Sequence, residues 1–240
     1  MRSVLRSGSL RRVASAGLLA VGFISGATLP SAAHGVAGGD AEFLAQVTGP
    51  DLWAYSYLGA KHMVTGYDHL LFLLGVIFFL YRLKDVALYV TLFSVGHSIT
   101  LLSGVLGQIH VSPYLVDAVI GLSVIYKAFD NLGGFQKLFG AAPDQRLAVL
   151  LFGLVHGFGL STKLQDIQLS AEGLVSNMLA FNLGVELGQI LALAAILVAM
   201  TWWRQSAHFQ RQAVLTNVAL VAAGVILFEY QLAGFFVEAA

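Results

Sequence analysis

Six apolar stretches, at about 62–81, 86–106, 112–130, 146–163, 173–201 and 213–237, run through this sequence. Each is close to the roughly 20 residues that a bilayer core requires. In lipid such a run can satisfy every backbone N–H and C=O only as a helix or a closed barrel. The runs are too long for barrel strands, and no alternating ten-residue pattern is present. Charge leaves no soluble alternative: 11% of the 240 residues are charged, against about 25% in a soluble globular domain. That is too few to coat a water-facing surface. Zero net charge and zero cysteines exclude a nucleic-acid partner and a disulfide scaffold, and the low polarity excludes disorder. The expected fold is all-α: a polytopic membrane bundle of six transmembrane helices, one domain over residues 61–240, with the lipid bilayer as its first partner.

The N-terminal segment reads differently. Arg2, Arg6, Arg11 and Arg12 precede an apolar run from Val13 to Leu29, followed by Pro30 and Ser31-Ala32-Ala33. This is the three-part layout of a secretory signal peptide, residues 1–33, against the alternative of an uncleaved first helix. Cleavage after Ala33 makes His34 the mature N-terminus, where a free amine beside an imidazole is a candidate metal ligand. Residues 34–60, with Trp53, Tyr55 and Tyr57, read as a short external segment with an interfacial aromatic anchor. With that end outside, the 82–85, 127–146 and 202–212 connections face inward. They hold Arg82, Lys84, Lys127, Lys137, Arg146, Arg204 and Arg211, whereas the outward segments hold Lys61 and Lys163. The asymmetry satisfies the positive-inside rule and places both mature termini on the external side of the membrane.

Polar residues interrupt the apolar runs. The first run contains His62, Asp68 and His69, the second His97, and the third Asp117. The fourth contains His156, the fifth Asn182, Glu186 and Gln189, and the sixth Glu229. Each ionisable group placed mid-membrane costs about 2.5–3.5 kcal/mol on insertion scales. Asp68, His69, His97, Asp117, His156 and Glu186 all fall between the midplane and the outer boundary, whereas independent accidents would scatter in depth. Imidazole and carboxylate without thiolate suit Ni, Co, Zn, Cu or Fe rather than Ca or Mg. His62 and His69 are seven apart, which on one continuous helix puts them on one face. Asp68 then orients a ligand histidine, or ligates itself if Gly66 loosens the turn. Structural readings stand beside these. His62 also fits an interfacial histidine, His97 and His156 fit histidines bonded to backbone between glycine-packed helices, and Asp117 and Glu229 fit solvated outer-edge carboxylates. Asn182 and Gln189 read as supporting hydrogen-bonders or pathway groups.

Four motifs carry a resemblance. They are His62-x5-Asp68-His69 followed by Leu70-Leu71-Phe72-Leu73; Gly96-His97-Ser98-Ile99-Thr100-Leu101; Leu154-Val155-His156-Gly157-Phe158-Gly159; and Phe181-Asn182-Leu183-Gly184-Val185-Glu186-Leu187-Gly188-Gln189. In order and spacing, over about residues 58–236, the chain resembles the HupE/UreJ family of nickel and cobalt permeases. The resemblance implies a six-helix inner-membrane protein, with a cleaved signal peptide, that moves Ni²⁺ or Co²⁺ for metalloenzyme maturation and hands it to a metallochaperone or maturation partner. It points to His62, Asp68, His69, His97, His156 and Glu186 as metal-binding residues. Asp117 and Asp130 depart from the glutamates expected of the family, keeping the acidic oxygen with one methylene less reach.

Two other functions use the same ligands. An intramembrane hydrolase would hold Zn²⁺ with an open water position, helped by Ser94, Ser98 or Glu186. A metal-binding accessory subunit would store or hand over the ion without transporting it, giving His34 and the external segment the larger role. A permease needs polar access from both faces, an enzyme from one. The inner halves of the spans look sparse in charge, which keeps the enzyme alternative open. No nucleotide-binding loop is present, so transport would draw on the membrane potential or a partner protein.

Overall fold

The computed structural model describes residues 38–238 apart from residue 168. The expected signal peptide and His34 lie outside the described residues. Within them the regular structure is α-helical: α1 (Gly38–Gln46), α2 (Leu52–Thr65), α3 (Tyr67–Ile77), α4 (Leu83–Gly107), α5 (Pro113–Asn131), α6 (Gly134–Phe139), α7 (Gln145–Gln165), α8 (Leu174–Arg204) and α9 (Phe209–Glu238). Local chemistry sets several starts. Asp51 caps α2 by accepting from the Ala54 amide at 3.1 Å, Asp144 caps α7 from the Arg146 amide at 2.8 Å, and Pro113 opens α5, where its missing N–H costs nothing.

Among the described residues four helices, α4, α7, α8 and α9, are long and apolar enough to cross a membrane, making this a multi-pass membrane protein. α8, with 31 residues, is about 46 Å long at 1.5 Å per residue, so it outreaches a hydrocarbon core of about 30 Å. Its Leu183, Leu187, Ile190, Leu191 and Val198 are exposed, as are Val95 and Ile99 of α4 and Val214 and Leu215 of α9. Its Asn177, Asn182 and Gln189 are buried. The apolar side faces out and the polar side faces in, the reverse of a soluble helix.

The helices pack as three close pairs, α4 with α7, α2 with α8, and α5 with α9, while α3 sits among α5, α8 and α2. Small residues make the pairs possible. A Cβ on Gly184 would collide with the Ser56 carbonyl of α2, one on Gly157 with the His97 carbonyl of α4, and one on Gly121 would lie 2.8 Å from the Phe228 amide of α9. Side chains there would push the backbones apart, and backbone approach is what holds helices together where the hydrophobic effect is absent.

The first expected span is not one helix. The stretch splits at Gly66, whose extended backbone (φ −71, ψ 96) ends α2 and begins α3. α3, with 11 residues, reaches about 16 Å, half a bilayer. Residues 52–60, expected outside the helices, form the first turns of α2, with Tyr55 and Leu58 in the core and Trp53 and Tyr57 exposed. The far end of α3 is tied down by side chains. Asn131 donates to the Gly75 carbonyl at 2.8 Å, and Arg204 donates to the Ile77 and Phe78 carbonyls at 2.6 and 2.9 Å. Lys127, expected in an inward loop, lies inside α5 at 6% exposure and pairs with Asp130 at 2.7 Å. The half of the bundle that looked sparse in charge therefore contains a buried polar network.

Candidate metal centre

The break at Gly66 builds the site. It turns the chain so that His62, in the last turn of α2, and His69, in the first turn of α3, meet from two separate helices. Their rings lie 5.3 Å apart, edge to face. The shared helix face inferred from seven-residue spacing is thus replaced by a corner. Glycine is needed at this corner for room rather than for its φ: a Cβ on Gly66 would stand 2.9 Å from the His69 Nδ1 and 3.3 Å from an Asp68 oxygen.

Three other helices converge on His69. Its ring lies 5.0 Å from that of His156 on α7 and 6.1 Å from that of His97 on α4. Asp68 Oδ2 is 3.0 Å from His69 Nδ1. Asp68, His69, His97 and His156 are each at most 1% exposed and His62 is 8% exposed. Phe72 and Phe93 wall the cluster, 5.3 and 5.0 Å from the His156 ring. α5 adds Ser123, which donates to the Ile120 carbonyl at 2.6 Å and contacts His156 Nε2 at 3.3 Å. This contact holds the His156 ring against α5.

One ligand atom each from Asp68, His69 and His156 lies within 4.8 Å of the others. Neighbouring ligands of a tetrahedral site with metal–nitrogen distances near 2.1 Å stand about 3.4 Å apart, so the three groups must close by up to about 1.4 Å to share one ion. Two imidazoles and a carboxylate form a borderline donor set suited to Ni²⁺, Co²⁺ or Zn²⁺.

The remaining expected ligands fall elsewhere or nearby. His62 and His97 flank His69 at ring distance without joining the three-residue group. Glu186, half-buried on α8, is outside that group, and Asn182 Nδ2 approaches it at 3.5 Å. Asp117 is buried at 4% exposure rather than solvated, in an ion pair with Lys163 at 2.9 Å. Gln189 accepts from the Ser94 hydroxyl at 2.6 Å. Ser123 went unnoticed in the sequence because a serine within an apolar run carries no signal of what it will face.

A family model described as HupE / UreJ protein matches residues 39–239. No curated protein and no solved structure matches the chain.

Proposed function

We propose that this chain, which belongs to the HupE/UreJ family, carries Ni²⁺ or Co²⁺ across the bacterial inner membrane through the Asp68–His69–His156 centre. The family is associated with nickel and cobalt transport. The observation that carries the reading is the grouping of three potential ligands at a helix break in the interior of a membrane bundle. A broken helix is a general device for ion sites in transporters, because it brings backbone ends to mid-membrane. Here the carbonyl end of α2 contributes negative potential. The amide end of α3 contributes positive potential, which Asp68 in its first turn offsets.

Binding exchanges the hydration shell of the ion for imidazole and carboxylate, and Phe72 and Phe93 keep bulk water away. Release needs a site weak enough to let go, and a site split between α3, which carries Asp68 and His69, and α7, which carries His156, meets that need because the two helices can separate. The basic loop residues support an arrangement with the Gly107 and Leu174 ends outside and the Arg204 end inside, so the inward product would meet a metallochaperone or maturation partner there. The test is uptake of radioactive nickel into vesicles of known orientation, with bound metal quantified on the same samples. Saturable uptake by the wild type, lost in His69→Ala and His156→Ala, is expected. Stoichiometric binding without passage would overturn transport and favour an accessory or hydrolytic role.

A further inference from the structure

Two polar tracks adjoin the centre, and their charges differ. The first runs down α5, where Ser123 and Lys127 are one turn apart. The Lys127 stem lies beside α3, its Cγ 3.3 Å from where a Gly75 Cβ would stand, and carries an ammonium. That ammonium is held by Asp130 at 2.7 Å and Gln145 at 3.4 Å. With the Asp130 carboxylate already engaged by Lys127 and Gln145, this track has no carboxylate to spare for a cation.

The second track is the seam between α4 and α8. On α4, Ser94 and His97 are three residues apart and share a face. On α8, Asn182, Glu186 and Gln189 follow at i, i+4 and i+7 and share another. The 2.6 Å hydrogen bond from Ser94 to Gln189 sets the two faces against each other. Ser94 lies one turn closer to the Arg204 end than His97. No lysine or arginine occurs on α4 between Asp85 and Gly107, or on α8 before Arg204.

The seam is also short of hydrogen bonds. Among the described residues, both ring nitrogens of His97, the Asn182 Oδ1 and the Gln189 Nε2 are buried with no hydrogen-bond partner. His97 and Gln189 are 1% exposed and Asn182 is 9% exposed. Leaving such groups unsatisfied is costly, and in lipid no bulk water relieves it. Polar groups gathered in this way on facing helices match a hydrated cation. Rotating the Gln189 amide by half a turn would keep a bond to Ser94 and turn its oxygen into the seam.

We propose that the α4–α8 seam, formed by His97, Ser94, Gln189, Asn182 and Glu186, is a second resting site for a hydrated divalent cation. Ser94 and Gln189 lie on the Arg204 side of His97, and Asn182 lies about two turns from Gln189 toward the Leu174 end; the site binds more weakly than the centre. Its role as an exit rests on the transport reading, although its existence does not. Beyond it Val86, Val90, Leu193 and Leu197 belong to the hydrophobic core, so an ion held at the seam waits above an apolar barrier.

The chain contains no cysteine, so single cysteines can be probed without background. In the purified full chain, Ser94→Cys and Gln189→Cys are to be reacted with a small cationic methanethiosulfonate. Leu101→Cys and Leu193→Cys, buried apolar positions on the same two helices, serve as controls. The seam cysteines should react about tenfold faster than the controls, the ratio given by ~1.4 kcal/mol, and Ni²⁺ should slow them but not the controls. Equal rates at all four positions, or no protection by Ni²⁺, would overturn the proposal. If a seam variant does not fold, hydroxyl-radical footprinting of the unmodified chain decides: oxidation of His97 supports a hydrated seam, and its protection overturns one. Ni²⁺-protected seam cysteines without nickel uptake would retain the site and sink transport. Uptake with inert seam cysteines would do the reverse.

Discussion

At the residue scale the site depends on two small side chains that are not ligands. Gly66 has an extended backbone that alanine can also adopt, so its contribution is the space it leaves for the His69 imidazole. Gly66→Ala should leave the helices intact by circular dichroism yet weaken nickel binding by about 10–100-fold, the range for disturbed support of a metal ligand. Isothermal titration of detergent-purified protein checks this, and unchanged affinity would show that His69 accommodates the methyl group. Ser123 acts instead by orienting the His156 ring, whose Nε2 it contacts at 3.3 Å. Ser123→Ala should cost affinity by a factor at the lower end, about tenfold, while Ser123→Thr, which keeps the hydroxyl, should recover most of it. His62, His97 and Glu186 were legible as intramembrane polar groups. Their unequal closeness to the centre was not, because a sequence gives the turn a residue occupies but not which neighbour that turn will meet.

At the element scale the determining features are the break after α2 and the anchoring of α3 at its other end. Asn131 and Arg204 satisfy carbonyls that a half-length helix leaves open in the interior. The Lys127–Asp130 pair lies under the same end, at 7% and 8% side-chain exposure. Removing one member strands a buried charge, so Lys127→Met alone should cost about 3–5 kcal/mol. The double variant Lys127→Met with Asp130→Leu should restore most of that loss. Unfolding midpoints in a fixed detergent, run as a double-mutant cycle, measure the difference, and additive losses would mean the pair is not coupled. The apolar periods of α4, α7, α8 and α9 were evident from their runs. A loosened turn at Gly66 was one of the alternatives, but the full split was not evident, because a glycine-tyrosine pair within an apolar run is compatible with a continuous helix until the packing of His62 and His69 is known.

For the whole molecule, the proposed transport would draw its driving force from the membrane potential. A divalent ion moved inward across 100 mV gains about 4.6 kcal/mol, twice the value for one charge, which corresponds to roughly three orders of magnitude in accumulation. Holding the potential at zero with a potassium ionophore and equal potassium on both sides of the vesicle membrane should reduce steady-state nickel accumulation toward the external concentration without changing binding to the protein. Accumulation unaffected by the ionophore would point to another coupled gradient or to a partner. The bundle suits this role because its three glycine-packed pairs form a firm frame around α3, leaving the short helix as the element that both the centre and the inner network address.

Composition and the length of the apolar runs were enough to specify an all-helical membrane bundle, since a bilayer admits few other ways to satisfy a backbone. The four motifs were enough to specify the family, and they contain all three residues of the centre. Which of the six expected ligands come within reach of one ion was decided by tertiary structure alone. Gly66 breaks the chain between His62 and His69, α7 packs close enough on α4 to bring His156 beside His69, and Asp117 is taken up by Lys163. Intramembrane histidines and carboxylates declare their presence by their cost in lipid. Their partners are set by contacts between helices distant in sequence, which no local pattern encodes.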